Sequence, residues 1–192
     1  GGVQTNWRTL HENQDRDPAW EQVYRSMDII NPWHPSYISS AESADYILET
    51  YIIPDIEETN RLGIGYMPTI APGYSWRNSS LGPPMYELPP LNEKPRDGGQ
   101  LMWKEAYNNL SHDVKMMMIA MYDENDEATG VYKVVATSDD LPQGSTMLAL
   151  NADGYSLPSD WYLILAGRIG QMLRGDMTLT PEIEDLPERD LS

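Results

Sequence analysis

Residues 114–122, VKMMMIAMY, form one of the most apolar runs in the chain, and they lead directly into DENDE at residues 123–127. An apolar run of this length predicts a buried strand. Four carboxylates therefore follow the end of one strand: those of Asp123, Glu124, Asp126 and Glu127. Because α/β folds build their active sites at the carboxyl ends of strands, this stretch predicts both the fold class and the place of a functional site.

The pattern of a strand followed by a helix also occurs three times before this stretch. Strands are predicted near residues 2–7, 27–33 and 64–72, and helices from about Pro18, over 41–62 and over 100–110. After the acidic stretch, a loop to about residue 157 leads to a last helix over residues 159–175. Asp17 is the predicted N-cap of the first helix, Pro54 is expected to kink or restart the second, and Gly63 is expected to end it.

Four successive βα units imply parallel strands joined by right-handed crossovers, which is half of an eight-stranded barrel. A complete barrel of this kind needs about 250 residues. The chain has 192 residues, so we expect either an open α/β sheet or association with a missing half. Residues 1–175 form the predicted half-barrel, and residues 176–192 are expected to be an acidic, extended and solvated tail.

Composition argues against several functional classes. Thirteen Lys and Arg against thirty Asp and Glu give a net charge of −17, which would repel a nucleic acid. No apolar run reaches the roughly 18 residues of a membrane span. The chain has no cysteine, its three histidines are scattered without ligand spacing, and no metal or cofactor is expected. No GxSxG elbow, P-loop or dinucleotide fingerprint is present. The chain opens with GGVQTNW, without an initiator Met or a signal peptide, and is expected to be a processed product or a fragment.

Glu124 and Glu127 are the candidate catalytic residues. Glycoside cleavage needs one carboxylic acid to protonate the leaving oxygen and a second carboxylate as nucleophile or base. Repulsion between two carboxylates in a water-poor cleft separates these roles, because it holds one proton on the pair. Two other interpretations stay open, a solvated acidic loop and a cation site, although the stretch lacks the spacing and loop glycine of an EF-hand.

Aromatic side chains at the strand ends could stack on the apolar faces of sugars, with core packing as the alternative for each one taken singly. Trp20, Trp103 and Trp161 lie inside predicted helices and are expected to be core residues. The candidate substrate-binding residues are Trp7, Arg8, Trp33, Tyr37, Tyr74, Trp76, Asn78, Tyr122, Asp123 and Asp126.

Several stretches together resemble the C-terminal half of glycoside hydrolase family 99-like proteins, the endo-α-mannosidase and endo-α-mannanase group related to family 71. They cover nearly the whole chain in order: NWRTL, DIINPW, PDIEETNRLGIGYMPTIAPGYSWRN, KPRDGGQLMWKEAY, MIAMYDENDEATGVYK and ADGYSLPSDWYLILAGRIGQMLRG. The resemblance implies a (β/α)₈ TIM-type barrel that cleaves internal α-glycosidic bonds with retention and without a metal. It also implies a role in polysaccharide degradation and a secreted or periplasmic location.

The family motif of Glu, two residues and Glu, usually followed by Gly and Thr, matches Glu124, Glu127, Ala128 and Thr129. By similarity, Glu127 would be the general acid/base, and Glu124 the base that helps the 2-hydroxyl of the substrate attack the anomeric carbon. The chain departs from the family at Ala128, where Gly is usual, and at Asn125, where an aromatic residue is usual.

The sequence therefore predicts a retaining, endo-acting glycoside hydrolase, as a fragment or subunit, that cleaves α-linked glycans such as α-mannosides. Its expected partners are the glycan and either an N-terminal half-barrel or a second copy of the chain. The alternative is a non-catalytic carbohydrate-binding or assembly protein that reuses a half-barrel.

Overall fold

A computed structural model describes residues 2–12, 17, 19–78 and 88–190, without the side chains of residues 10–12. Five strands are present in this part: β1 (Gly2–Gln4), β2 (Ile29–Trp33), β3 (Gly65–Tyr66), β4 (Thr69–Ile70) and β5 (Met118–Ile119). Five α-helices alternate with them: α1 (Ala19–Arg25), α2 (Ala41–Ile47), α3 (Ile53–Leu62), α4 (Gln100–Leu110) and α5 (Trp161–Arg174). The predicted helix start at Pro18 lies outside the described residues, and α1 runs from Ala19.

The strands pair in parallel and in chain order. β1 pairs with β2, β2 with β3, and β4 with β5. β3 and β4 are the two parts of the single strand predicted near residues 64–72, which is interrupted at Met67 and Pro68. Because proline has no N–H to donate, it interrupts a ladder of this kind. The Asn31 side chain spans the gap by donating Nδ2–H bonds to the Met67 carbonyl (2.5 Å) and to Thr69 Oγ1 (2.9 Å).

The predicted fold class, parallel strands alternating with helices, is confirmed. The described strands form an open series, and the barrel is not closed within this part of the chain. Their common direction places all carboxyl ends at one edge, from which the site loops leave.

Both ends of the helical stretch in the second unit are capped, and of these caps Gly63 was predicted. Ser40 and Ser43 form a reciprocal capping box at the start of α2, and Gly63 ends α3 in the left-handed conformation at φ 69°. Pro54 does not break the helix. A π-helical segment, Leu48–Ile52, joins α2 to α3 immediately before it, and such a segment accommodates the missing proline N–H.

Two clusters of buried side chains form the core. One packs Val3 and Ile30 of the first strands against α2 and the π segment. The other packs Ile70 of β4 between α4 and α5. Trp103 and Trp161 are buried there, as predicted. Trp20 contradicts its prediction, because it is 52% exposed on α1, a helix without buried residues.

Residues 176–190, the described part of the segment after Gly175, contain no helix, but they are not solvated along their whole length. Ile183 is buried in the second core cluster, and the Trp103 indole N–H donates to the Thr180 carbonyl (2.9 Å). Further along, Tyr155 pairs with Arg189 in an antiparallel bridge. The prediction of a solvated tail is therefore wrong at Ile183. Among the described residues, no helix combines the length and apolarity needed to cross a bilayer.

Candidate active site

Glu124 and Glu127 lie on a tight turn that follows β5. The N–H groups of Thr129 and Gly130 both donate to the Glu124 carbonyl, at 3.1 and 3.0 Å. Both glutamate side chains are half-buried, and Thr129 Oγ1 lies 3.5 Å from Glu124 Oε2. The turn therefore has its own hydrogen-bonded framework, which distinguishes it from a freely solvated acidic loop.

Ala128 occupies the turn position at which the motif of the sequence resemblance predicts glycine. Its φ of 57° is in the left-handed region, where a side chain is strained and glycine is not. The Ala128 side chain is 2% exposed, and its carbonyl accepts a hydrogen bond from Arg96 Nε (2.7 Å). Gly130 closes the turn at a point where an added Cβ would lie 2.5 Å from Asn125 Oδ1. The backbone geometry therefore favours glycine at position 128, and the close approach of Asn125 explains the glycine at position 130.

The loop after β4 is bonded directly to this turn. The Ser75 N–H donates to the Glu127 carbonyl at 2.8 Å. Asn78 Nδ2 donates to the carbonyls of Asp126 (2.7 Å) and Thr146 (3.3 Å), and its Oδ1 accepts from the Thr146 hydroxyl. The Asn78 amide is therefore used in joining three loops, in contrast to its predicted part in binding sugar.

The aromatic side chains form a rim along the same edge. Tyr74 and Trp76 lie with their ring centroids 6.0 Å apart. Lys94 links this loop to the one after β2, because its ammonium lies 5.9 Å from the Tyr74 ring and donates to the Pro35 carbonyl (3.0 Å). Four of the predicted aromatic residues present exposed surface: Trp33 (40%), Tyr37 (63%), Trp76 (53%) and Tyr122 (63%). Exposed aromatic faces of this kind are suited to stacking on sugar rings.

Tyr122, Asp123 and Asp126 stand around the glutamate turn with their side chains exposed. Tyr122 packs against Tyr132 at a centroid distance of 5.8 Å, and the Tyr132 hydroxyl accepts from Asn125 Nδ2 (2.6 Å). The structure thus brings the residues after β2, β4 and β5 into one connected edge.

Trp7, which follows β1, belongs to the interior instead, and Arg8 beside it is half-buried. Trp7 is 0% exposed, so neither face of its ring is available to a sugar, and the Arg25 guanidinium lies 5.8 Å from its centroid. Arg8 forms an ion pair with the fully buried carboxylate of Asp55 on α3. Their predicted role in substrate binding is corrected by these contacts.

Arg96 and Glu105 were not predicted as site residues. Both are buried and donate or accept hydrogen bonds at the backbone of the site loops. Glu105 of α4 is 3% exposed, and one of its carboxyl oxygens accepts the Ala71 N–H at 3.3 Å. Burial raises the pKa of Glu105 well above its usual value, against the lowering effects of that hydrogen bond and of Lys94. A basic pair, Lys94 and Arg96, within a proline-rich loop of an acidic chain was the available signal for Arg96.

The chain has the architecture of part of a TIM-type barrel, with parallel strands in an open series and helices between them. It is similar to the solved structure of the GH99 endo-α-mannosidase from Bacteroides thetaiotaomicron, with a TM-score of 0.57 and 14% identity over 79% of this chain. The structure of that enzyme in complex with BIS-TRIS-propane gives a TM-score of 0.57 and 15% identity over 78% of this chain. At this identity the similarity concerns the fold alone. The chain spans 40% and 41% of the lengths of these two chains. No protein-family model matches the sequence, and no curated protein matches it either.

Proposed function

We propose that this chain is the catalytic part of a retaining, endo-acting glycoside hydrolase for α-linked glycans, with α-mannosides as its substrates. The observation that carries the proposal is the 2.8 Å hydrogen bond from the Ser75 N–H to the Glu127 carbonyl. It joins the aromatic loop of Tyr74 and Trp76 to the turn that bears both glutamates. A surface for stacking on a sugar and a pair of carboxylates are thereby adjacent.

The chemistry follows from two carboxyl groups with different roles. Glu124 removes the proton of the substrate's 2-hydroxyl as that oxygen attacks the anomeric carbon, while Glu127 protonates the departing glycosidic oxygen. Glu127, now ionised, then takes a proton from water as the water opens the resulting anhydro-sugar at the anomeric carbon. Glu124 returns its proton to the 2-oxygen. Two inversions at the anomeric carbon give net retention.

A non-catalytic role in carbohydrate binding or assembly is the second candidate. Its support is the exposed aromatic rim of Trp33, Tyr37, Trp76 and Tyr122, which is suited to binding a sugar whether or not the glutamates cleave it. This candidate predicts sugar binding without bond cleavage. Under either candidate, we propose a complementary half-barrel or a second copy of the chain as the partner that completes the sugar groove.

The test is hydrolysis of α-mannan oligosaccharides by the chain, alone and together with its partner, with the anomeric form of the product followed by NMR. General acid/base groups contribute about 10²–10⁴-fold to rate, so Glu127→Gln and Glu124→Gln should each lower kcat by at least about 100-fold. Glu49→Gln, an exposed glutamate on the π segment, is the matched control and should leave kcat unchanged.

Wild-type hydrolysis that survives Glu127→Gln contradicts the catalytic assignment. Oligosaccharide binding by calorimetry, with no product from the wild type in the presence of its partner, supports the second candidate instead. An inverted anomeric product contradicts the retaining mechanism while leaving the glutamate pair in place.

A further inference from the structure

Arg96 is a buried cation at the junction of the two site loops. It is 6% exposed and lies in the segment that leads into α4. A guanidinium remains charged in any protein environment, so its burial has to be compensated by specific contacts. Within the described residues it forms no ion pair with a carboxylate, which is the usual form of compensation.

The contacts that Arg96 does make are directed at the site. Its Nε donates to the Ala128 carbonyl at 2.7 Å, one residue after Glu127. On the other side, the guanidinium carbon lies 4.8 Å from the centroid of the Tyr162 ring on α5. Because Tyr162 is 2% exposed and part of the core, it provides a rigid backing for the guanidinium. Arg96 therefore links the glutamate turn to α5.

The loop after β4 rests on the same side chain. A Cβ at Gly73 would lie 2.9 Å from Arg96 Cγ and 2.7 Å from the Lys94 carbonyl, so this loop approaches the arginine as closely as glycine permits. Arg96 thus contacts both of the loops that the Ser75 to Glu127 hydrogen bond joins. The Nη1 atom of Arg96 is buried without a hydrogen-bond partner in the described part of the chain.

We propose that Arg96 is the positioning residue of the glutamate pair, which holds the turn at Ala128 so that the Glu127 carboxyl is directed toward the sugar groove. This inference rests on the proposed function. Arg96 does not contact the substrate in this proposal and acts through the Ala128 carbonyl. The left-handed φ of 57° at Ala128 is strained for an alanine, and the hydrogen bond from Arg96 adds to the backbone hydrogen bonds that hold the turn in this conformation.

The experiment compares Arg96→Met, which removes the Nε donor, with Arg96→Lys, which keeps the charge, and with Arg61→Met as the control. Arg61 is an exposed arginine on α3 that pairs with Glu58. The first readout is amide hydrogen exchange in the intact chain. The N–H groups of Thr129 and Gly130 should exchange about tenfold faster in Arg96→Met, as expected for the loss of one charge-assisted hydrogen bond of about 1.5 kcal/mol. Amides within α4 should be unaffected, and Arg61→Met should change neither set.

The second readout is steady-state kinetics on an α-mannan oligosaccharide. Arg96→Met should lower kcat about tenfold or more with KM within a factor of two, because the defect is in the direction of Glu127 and not in sugar binding. Arg96→Lys should recover part of kcat. If Arg96→Met fails to fold, Arg96→Lys is compared with the wild type in both readouts, with a smaller effect in the same direction.

The two readouts separate this inference from the proposed function. Faster exchange of the turn amides in Arg96→Met, together with a wild type that hydrolyses no substrate, supports the structural contact of Arg96 with the turn and contradicts the proposed hydrolase function. Hydrolysis by the wild type, together with unchanged exchange and unchanged kcat in Arg96→Met, overturns the role of Arg96 and leaves the hydrolase standing. A rise in KM without a fall in kcat overturns the positioning role of Arg96, because it indicates a role in sugar binding. Equally faster exchange of the α4 amides also overturns it, because that result indicates a purely structural role.

Discussion

At the scale of single residues, burial decides the charge of the groups beneath β2. His34 is 1% exposed, and its Nε2 lies 3.2 Å from the Tyr66 hydroxyl. That hydroxyl donates its proton to Asp55 Oδ2 at 3.3 Å, so it can only accept from the histidine, which places the imidazole proton on Nε2. Desolvation by burial lowers the pKa of His34 to about 3 and raises the pKa of Asp55 to about 6, the latter against the lowering effect of Arg8.

These two shifts act on stability in opposite directions. The depressed pKa of His34 means that the unfolded chain binds the extra proton first, so stability is lost as the pH falls below 6.5 toward 3. The raised pKa of Asp55 means that the folded chain binds the extra proton first, so stability is gained as the pH falls from about 6 toward 3.8. In the wild type, the two effects largely cancel between pH 7 and pH 5.

His34→Gln separates them. Removing the buried hydrogen bond lowers the free energy of unfolding at pH 7. The variant has no histidine at position 34 to take up a proton in the unfolded chain, so it does not lose that part of its stability as the pH falls. At 1.36 kcal/mol per pH unit, the difference in unfolding free energy between wild type and variant should shrink by about 2 kcal/mol from pH 7 to pH 5. Urea unfolding at the two pH values measures this, and a difference that stays constant contradicts the neutral state of His34.

The same network shows what the sequence could and could not predict. The position of Glu124 and Glu127 after a strand was predictable. An apolar run that ends in carboxylates indicates a strand, and it places those carboxylates at the carboxyl-terminal edge of the strands. The ion pair of Arg8 could not be predicted, because its partner Asp55 is 47 residues away and only the packing of α3 brings the two side chains together. The burial of Trp7 could not be predicted either, because the sequence alone does not distinguish an aromatic residue at a strand end that faces the helices from one that faces a groove.

At the scale of elements, the start of α4 is fixed by backbone conformations that few residues allow. Gly98 and Gly99 have φ of 66° and 96°. The Gly98 carbonyl accepts the Trp161 indole N–H at 2.8 Å, and a Cβ on Gly99 would lie 2.2 Å from Leu165 Cδ1. Helices α4 and α5 therefore meet at a point where a glycine is needed for both its φ and its size.

Gly99→Ala tests this contact against a matched control at the other end of α5. Gly175 also has a positive φ of 77°, but an added Cβ there would meet nothing within 4 Å. Gly175→Ala should lower the free energy of unfolding by about 1–2 kcal/mol through backbone strain alone. Gly99→Ala should lower the free energy of unfolding by the same amount and by about 1–3 kcal/mol more, because its Cβ overlaps with Leu165. Equal losses for the two variants in thermal or urea unfolding would show that α5 moves away without cost.

Helices were the more predictable elements and strands the less. α4 and α5 occupy almost the predicted ranges, because their capping residues and apolar periodicity are local signals. The strand predicted near residues 64–72 is divided, because Pro68 cannot donate to the ladder and Asn31 replaces the missing contacts from the neighbouring strand. That replacement is a tertiary contact, and no local pattern predicts it.

At the scale of the whole molecule, the first strands have one covered face and one open face. Along β1 and β2 the burial alternates: Val3 and Ile30 pack in the cluster that includes α2, and Pro32 is buried as well. Ile29 and Trp33 point to the opposite face, where they are 36% and 40% exposed. In a closed barrel this opposite face is the interior. Apolar side chains on such a face favour association with whatever completes the barrel.

We therefore expect the chain to be associated with a partner half-barrel or with a second copy in solution, as light scattering after size exclusion can measure. Ile29→Asp places a charge on the open face and should shift the mass toward that of a single chain. Val23→Asp is the control, because Val23 is also an exposed apolar residue (44%) but lies on α1 and not on a strand. A stable single-chain mass for the wild type at all concentrations, with no partner bound, contradicts this expectation. Equal effects of the two variants would place the contact elsewhere than on the open face, because Val23 lies on α1 and Ile29 lies on that face.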